Sequence, residues 1–335
     1  MMNQTLTSVL SSFSRDGMVP EVISDLLHRH LYAPIEDLAN RPSKEFRSQL
    51  LYAAADLTIE HRDGRRDHLA DNLNVCATVI ELLHLGSLIV DDIQDDSDVR
   101  RGSTSLHLRY GVGKALASGN WLYFCSQKLI IEKLRVDHRH LLEAMTSMID
   151  TLEAAHQGQA VDLSVDILAV EQGRVSELCD WVSYQKTGSL VGLAMMLGAI
   201  CADGDLIWRR NLVNFAKEFG RNLQNFDDIG NIFDQKNPTK RLEDIARQKP
   251  TWIWSCAAKY LDEKQYESFK VRMTSKDLSQ SAKYLEEAGI VNLCYEQAAK
   301  ELDRSFGMLA SHCHKNSASL DQIFQLGERL KNAYA

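Results

Sequence analysis

The chain has 335 residues, 44% of them hydrophobic and only 5 of them proline, which argues against a disordered chain and allows one large core or two modest ones. A formal net charge of -8 argues against a broad basic surface for nucleic acid, while leaving room for a local basic pocket that takes an anionic small molecule. The cysteines Cys76, Cys125, Cys179, Cys201, Cys256, Cys294 and Cys313 have no CxxC and no recurring spacing, so most of them read as buried thiols of a reducing compartment.

Residues 1–19 contain no basic stretch followed by an apolar core, so they read as a flexible N-terminal extension rather than a secretory signal, and the expected location is cytoplasmic. Helical periodicity begins at Pro20 and runs through Leu27, with apolar residues at three- and four-residue spacing. It recurs over 72–93, 115–134, 141–160, 176–200, 208–232 and 251–260, and again over 277–289, 290–306 and 320–330. Turn-like breaks fall at 61–66, 101–104, 111–113, 202–204 and 235–238. Strand signals are sparse. The longest apolar stretches, such as 190–201, stop short of a bilayer span, so no stable membrane insertion is expected. No linker divides the chain, which predicts an all-α fold in a single domain over 1–335.

Within the apolar run Leu82, Leu83, Leu85, Leu88, Ile89, Val90 and Ile93, the sequence places Asp91, Asp92, Asp95 and Asp96. Asp91 and Asp95 stack on one helix face and Asp92 flanks them. Like charges at this spacing repel, so burial demands a cation or a proton, whereas a solvated acidic helix end demands neither. Arg100 and Arg101 follow at once, and guanidinium groups hold diphosphate oxygens well while carboxylates reach the same group through magnesium.

Further along, Lys186-Thr187-Gly188 interrupts a core-like helix. Gly188 relaxes the packing or bends the helix there, and Lys186 either sends its ammonium to the surface or supplies charge to a departing anion. Gly158-Gln159-Ala160-Val161-Asp162 is a similar interruption, for which helix packing at Gly158 is the simpler account. The second acidic cluster is Gln224-Asn225-Phe226-Asp227-Asp228-Ile229-Gly230-Asn231. Asp227 and Asn231 share a face, and Gln224 sits three residues ahead of Asp227. Alone, this pair would cap or solvate a helix; opposed to the first cluster, it would complete a magnesium cage. Lys240, Asp244 and Lys249 follow without a P-loop pattern.

Together these motifs resemble the trans-isoprenyl diphosphate synthases (polyprenyl synthetases), in particular geranylgeranyl diphosphate synthases. The resemblance runs from about residue 40 to residue 251, with helical character alone beyond it. It implies an isoprenoid synthase-type helical bundle around a central cavity, working as a homodimer. It also implies head-to-tail condensation of isopentenyl diphosphate with an allylic prenyl diphosphate, using Mg2+ at three ions per active site. Asp91, Asp92, Asp95, Asp227, Asp228 and Asn231 would be metal ligands, directly or through water. Arg100, Lys186, Gln224 and Lys240 would surround the allylic diphosphate, and Lys44, Arg47, His84 and Arg101 would hold isopentenyl diphosphate. Thr187 and Gln224 would lie near the reacting carbons, with Lys249 and Asp244 organising the region behind the second motif. Departing diphosphate would serve as the base that removes the final proton.

The sequence departs from the family pattern in four places. Ser43 stands where a glycine precedes the first basic residue, Thr104 replaces a proline, and Asn120 and Asn231 each stand where many relatives have Asp. A serine cannot replace a glycine that needs positive φ. Product length is expected to depend on Leu83, Gly86 and Ser87, with Gly86 leaving a hole where bulky residues would stop the chain and 120–124 forming a deeper floor. That favours a geranylgeranyl product. A class I terpene cyclase, which needs one diphosphate only, and a non-catalytic regulatory subunit of a prenyl synthase are the alternatives.

Overall fold

The runs that the periodicity marks are helical, and further helices lie between them. A computed structural model describes residues 20–43, 45–62, 68–233, 242–275, 277–313 and 317–333. Regular structure among them is helical apart from one two-residue hairpin. The proposed extension 1–19 and the break at 235–238 lie outside the described residues. Described residues of 1–51 and 67–145 form one compact unit, and those of 52–66 and 146–335 a second.

In the first unit, α1 (Glu21–Leu27) passes through a π-turn (His28–Tyr32) into α2 (Ala33–Ala39). Next come α3 (Phe46–Arg62), whose later residues belong to the second unit, and α4 (Leu69–Gln94). A hairpin of β1 (Val99–Arg100) and β2 (Ser103–Thr104) follows, then α5 (Leu106–Tyr110), α6 (Val112–Lys133) and the start of α7 (His138–Ser164). The periodicity did not predict α3, in which Gln49, Asp56 and Glu60 interrupt the apolar residues. Contrary to the expectation from the apolar runs, α4 is long and apolar enough to cross a membrane, yet 67% of its most apolar window is buried inside the fold. A central bundle helix needs apolar residues around most of its circumference for the same reason a membrane span does.

Helices α4 and α6 approach closely at two glycines. A Cβ on Gly86 would lie 3.0 Å from the Gly119 carbonyl oxygen, and one on Gly119 would lie 3.0 Å from Val90 Cγ2.

The second unit continues α7 and then runs α8 (Gln172–Ser183), a π-turn (Tyr184–Gly188) and α9 (Ser189–Cys201) without a break. After them come α10 (Leu206–Phe233), the short α11 (Glu243–Ala246), α12 (Trp252–Tyr260), α13 (Glu263–Met273), α14 (Leu278–Glu287), α15 (Ile290–Ala310) and α16 (Ala318–Ala333). Asp262 caps α13 in a reciprocal box: its carboxylate accepts from the Gln265 amide at 2.8 Å, and its own amide donates to Gln265 Oε1 at 3.0 Å. Phe306 stacks edge-on with Phe324 at 4.9 Å between ring centroids and lies 5.9 Å from Phe215, which ties α15 to α16 and α10.

A half-buried ion network in this unit centres on Arg221. Arg221 bonds Glu218 at 2.9 Å and Glu301 at 2.6 Å, with Asp180 at 3.5 Å, so one cation faces three carboxylates. Burial pushes the Asp180 carboxyl up to about 6, with Arg221 opposing the rise and Glu301 adding to it. The usual aspartate value is about 3.9, so between about pH 4 and pH 6 the folded chain keeps a proton that the unfolded chain has released. The stability this proton confers is complete below about pH 4 and lost as pH rises through about 6. Asp180→Asn should therefore raise the thermal midpoint above about pH 7 and change it little near pH 4. Equal midpoint shifts at the two pH values would contradict the assignment.

Candidate active site

The first acidic cluster closes α4. Asp95 is the C-cap, its amide donating to the Asp91 carbonyl at 2.8 Å, so these carboxylates oppose the negative end of the helix dipole. Asp92 and Asp95 are buried, at 2% and 9% exposure, which excludes a merely solvated helix end for those two. Arg100 compensates them: its Nε donates to Asp92 Oδ1 at 2.8 Å and its Nη2 to Asp91 Oδ2 at 3.4 Å. Burial works against the Arg100 charge, but the Asp92 hydrogen bond and the charges of Asp92, Asp91 and Asp95 outweigh it and raise its pKa.

Arg100 sits on a hairpin that pairs Val99 with Thr104 and Arg100 with Ser103. Its two turn residues, Arg101 at φ 51° and Gly102 at φ 74°, are both left-handed, as a tight hairpin turn requires. The turn separates the two arginines. Arg101 lines a cavity of about 250 Å³ together with Arg41, Ser43, Glu45, Thr78 and Glu81, and its Nη1 reaches the Leu38 carbonyl at 3.5 Å.

Arg47 Nη1 lies 3.3 Å from His84 Nε2, so two of the expected isopentenyl diphosphate residues are together. Burial, reinforced by the Arg47, Arg101 and Arg100 guanidiniums, holds the His84 imidazole well below its ordinary range. A neutral His84 can serve an anion as a hydrogen-bond donor. Glu81 accepts from Ser48 Oγ at 3.1 Å, and burial raises its pKa against the pull of Arg47, Ser48 and Arg101. Lys44 lies outside the described residues. The altered basic loop has its left-handed residue at Glu45, φ 50°, and not at Ser43, so the loss of glycine at 43 imposes no such strain.

Of the three residues expected to set product length, Gly86 alone departs from its expected surroundings. Leu83 is buried, and Ser87 Oγ donates to the His84 carbonyl at 2.8 Å. Gly86, however, leaves no hole: a Cβ there would meet Leu122 Cβ and Tyr123 Cε1 at 3.3 Å as well as the Gly119 carbonyl. Helix α6 fills the space, and the Tyr123 ring covers the position. Burial, with the nearby Asp91 charge, pushes the Tyr123 phenol up to about 12.

In the second unit the π-turn carries Lys186, Thr187 and Gly188. The wider turn accommodates a contact that any side chain would block, since a Cβ on Gly188 would lie 2.7 Å from the Lys217 carbonyl oxygen of α10. Gly158 is packed against the same turn, 2.9 Å from the Lys186 amide by the same measure. Lys186 Nζ donates to Asp162 Oδ2 at 2.7 Å, and Lys249 Nζ lies 3.4 Å from the same oxygen. Asp162 therefore anchors two candidate diphosphate lysines, a role its sequence context did not reveal.

Thr187 Oγ1 donates to Gln224 Oε1 at 2.8 Å, and Gln224 Nε2 donates to Asp228 Oδ1 at 2.8 Å. Asp228 Oδ2 accepts from the Trp252 amide at 2.7 Å. Gln224 sits three residues ahead of Asp227 in sequence, and in the structure its amide bonds Asp228, four residues along α10. Asp227 is exposed, Asp228 buried and Asn231 half-buried, the last with its carbonyl accepting from the Leu242 amide at 3.1 Å. Burial first, and then the Asp244 charge, raises the Asp228 pKa; burial likewise raises Asp244 while Lys249 opposes it. Lys240 lies outside the described residues.

The available oxygen donors suit a hard cation. Asp91, Asp92 and Asp95 in the first unit, and separately Asp227, Asp228 and Asn231 in the second, offer only carboxylate and amide oxygens, and each bonded carboxylate retains lone pairs for a further ligand. Among the described residues no three His, Cys, Asp or Glu side chains converge into a ready-made metal cluster. Each of the two donor sets fits magnesium, which keeps waters and takes few protein ligands beside substrate phosphates.

Comparison with known proteins matches residues 28–288 to the family described as Polyprenyl synthetase. Geranylgeranyl pyrophosphate synthase 1 of Zymoseptoria tritici is 30% identical over 212 residues, which cover 61% of this chain but only 56% of that protein. A terpene synthase of Matsumurasca onukii is 28% identical over 242 residues, 70% of this chain and 71% of that protein. The crystal structure of geranylgeranyl pyrophosphate synthetase from Pyrococcus horikoshii Ot3 shares the fold, with a TM-score of 0.79 over 98% of this chain and 94% of that one at 20% identity. With a family match over most of its length and an all-α isoprenoid synthase fold, the chain belongs to the trans-isoprenyl diphosphate synthase (polyprenyl synthetase) family and is related to the geranylgeranyl diphosphate synthases.

Proposed function

We propose that this chain is a magnesium-dependent prenyltransferase that joins isopentenyl diphosphate head to tail to an allylic diphosphate, with a trans-geranylgeranyl diphosphate product. The observation that carries this reading is the division of basic groups in the first unit. Arg100 stands against Asp91 and Asp92 on the side of the metal ligands, whereas Arg101 lines a cavity and Arg47 meets a neutral His84. A second basic set suits a second diphosphate, as extension requires and cyclisation does not.

Asp91, Asp92, Asp95, Asp227, Asp228 and Asn231 are assigned as ligands for three magnesium ions, directly or through water. When bound, magnesium supplies positive charge to the diphosphate oxygens as the allylic carbon–oxygen bond breaks. Arg100, Lys186, Lys240 and Lys249 hold the same oxygens, and Asp162 keeps Lys186 and Lys249 in place until substrate arrives. Thr187 fixes the Gln224 amide beside the reacting carbons. Lys44, Arg47, His84 and Arg101 hold isopentenyl diphosphate so that its alkene faces the allylic carbon. Released diphosphate takes the proton that restores the double bond. We further assign a homodimer acting in the cytoplasm, and a single catalytic domain over 1–335 with 1–19 as an extension.

Similarity to a terpene synthase favours a second reading, cyclisation of one prenyl diphosphate. Dimethylallyl, geranyl and farnesyl diphosphates, each supplied with labelled isopentenyl diphosphate and magnesium, distinguish the two. The expected result is incorporation of label into geranylgeranyl diphosphate. A hydrocarbon formed from farnesyl diphosphate alone, with no label in any product, would replace extension by cyclisation.

A further inference from the structure

The hairpin that carries both arginines is too small to hold itself. Its strands are two residues long, a ribbon of that size is not stable alone, and Arg101 occupies left-handed space that a side chain disfavours. Three of its carbonyls converge on one side chain. Arg41 Nη1 donates to the Arg100 carbonyl at 2.8 Å and to the Ser103 carbonyl at 3.3 Å, and Arg41 Nη2 donates to the Thr104 carbonyl at 2.9 Å.

Behind the guanidinium stands Asp37, whose Oδ1 accepts from Arg41 Nε and Nη2 at 3.2 Å each. Asp37 Oδ2 is fixed in turn by the Tyr110 hydroxyl at 3.0 Å and by Arg109 Nη1 at 2.8 Å. Arg41 is 7% exposed and lines the same cavity as Arg101. Only a planar fork with donors on both edges can meet an aspartate on one side and three carbonyls on the other; an ammonium cannot.

We propose that Arg41, seated on Asp37, is the positioning residue of the substrate-binding hairpin, locking 99–104 so that Arg101 presents to the cavity while Arg100 bonds the aspartates. The proposal rests on Arg101 serving isopentenyl diphosphate. Arg41 acts through the hairpin and needs no contact with the reacting atoms.

Arg41→Met tests it in three measurements. Hydrogen–deuterium exchange at the amides of 99–104 should accelerate at short labelling times while α4 and α6 stay protected. The KM for isopentenyl diphosphate should rise about tenfold, with kcat falling less than about threefold. In an Arg101→Ala background, Arg41→Met should add little further loss, because both changes remove one function. Unchanged exchange at the hairpin, or losses that simply add in the double variant, would overturn the proposal. Should Arg41→Met fail to fold, Asp37→Asn reads the same quantities with smaller changes, and unchanged hairpin exchange there counts equally against it. If the wild-type protein incorporates no isopentenyl diphosphate, the functional assignment fails, and hairpin exchange still decides whether Arg41 is the clamp.

Discussion

Asp91→Ala is expected to cut magnesium-dependent turnover by on the order of 100- to 1,000-fold, the range for removing one group that stabilises charge developing in a transition state. Folding should scarcely change. The Asp91 side chain is 23% exposed and its bond to Arg100 is long, at 3.4 Å, so Arg100 keeps its shorter bond to Asp92 when Asp91 is lost. Asp92→Ala provides the contrast. Asp92 is buried and holds Arg100 at 2.8 Å, so removing it leaves a half-buried guanidinium without its main partner and should lower the thermal midpoint as well as the rate. Steady-state rates and circular-dichroism melts on the two variants separate the effects. Near-normal turnover by a well-folded Asp91→Ala protein would remove Asp91 from the catalytic machinery.

The second large effect concerns product length. Sequence reading alone predicts that Gly86→Phe plugs a hole and shortens the product. Packing predicts damage instead: even a Cβ at 86 would lie 3.0 Å from a backbone oxygen of α6 and 3.3 Å from Leu122 and Tyr123. Overpacking of this kind costs about 1–3 kcal/mol, and more when backbone must yield. Gly86→Phe should therefore give poorly folded protein before it gives shorter chains. The ring that covers this position belongs to Tyr123, so Tyr123→Ala is the informative change. It should shift the distribution toward products longer by one or more isoprene units. Chromatography of dephosphorylated products at matched extents of reaction measures this, and an identical distribution in wild type and Tyr123→Ala would exclude Tyr123 from the floor.

Local rules made the acidic motifs readable. Asp91 and Asp95 lie one helical turn apart whatever surrounds them, and Arg100 follows them too closely to escape their field. Gln224 is instructive for the opposite reason. Helical spacing allowed its amide to serve Asp227 or Asp228 at three or four residues, and the neighbouring Thr187 and Trp252 selected Asp228. Asp162 could not be singled out either, because its two lysine partners come from positions 24 and 87 residues away.

The sequence by itself determined the helical class, the two acidic motifs and the basic residues beside them, because periodicity and i to i+4 spacing are properties of a single helix. Tertiary structure alone decided which carboxylates are buried, that Gly86 is a helix contact and not a cavity, and that one guanidinium at position 41 grips a hairpin some sixty residues later. Those outcomes depend on which side chains distant segments bring within bonding distance, and no local pattern encodes that choice.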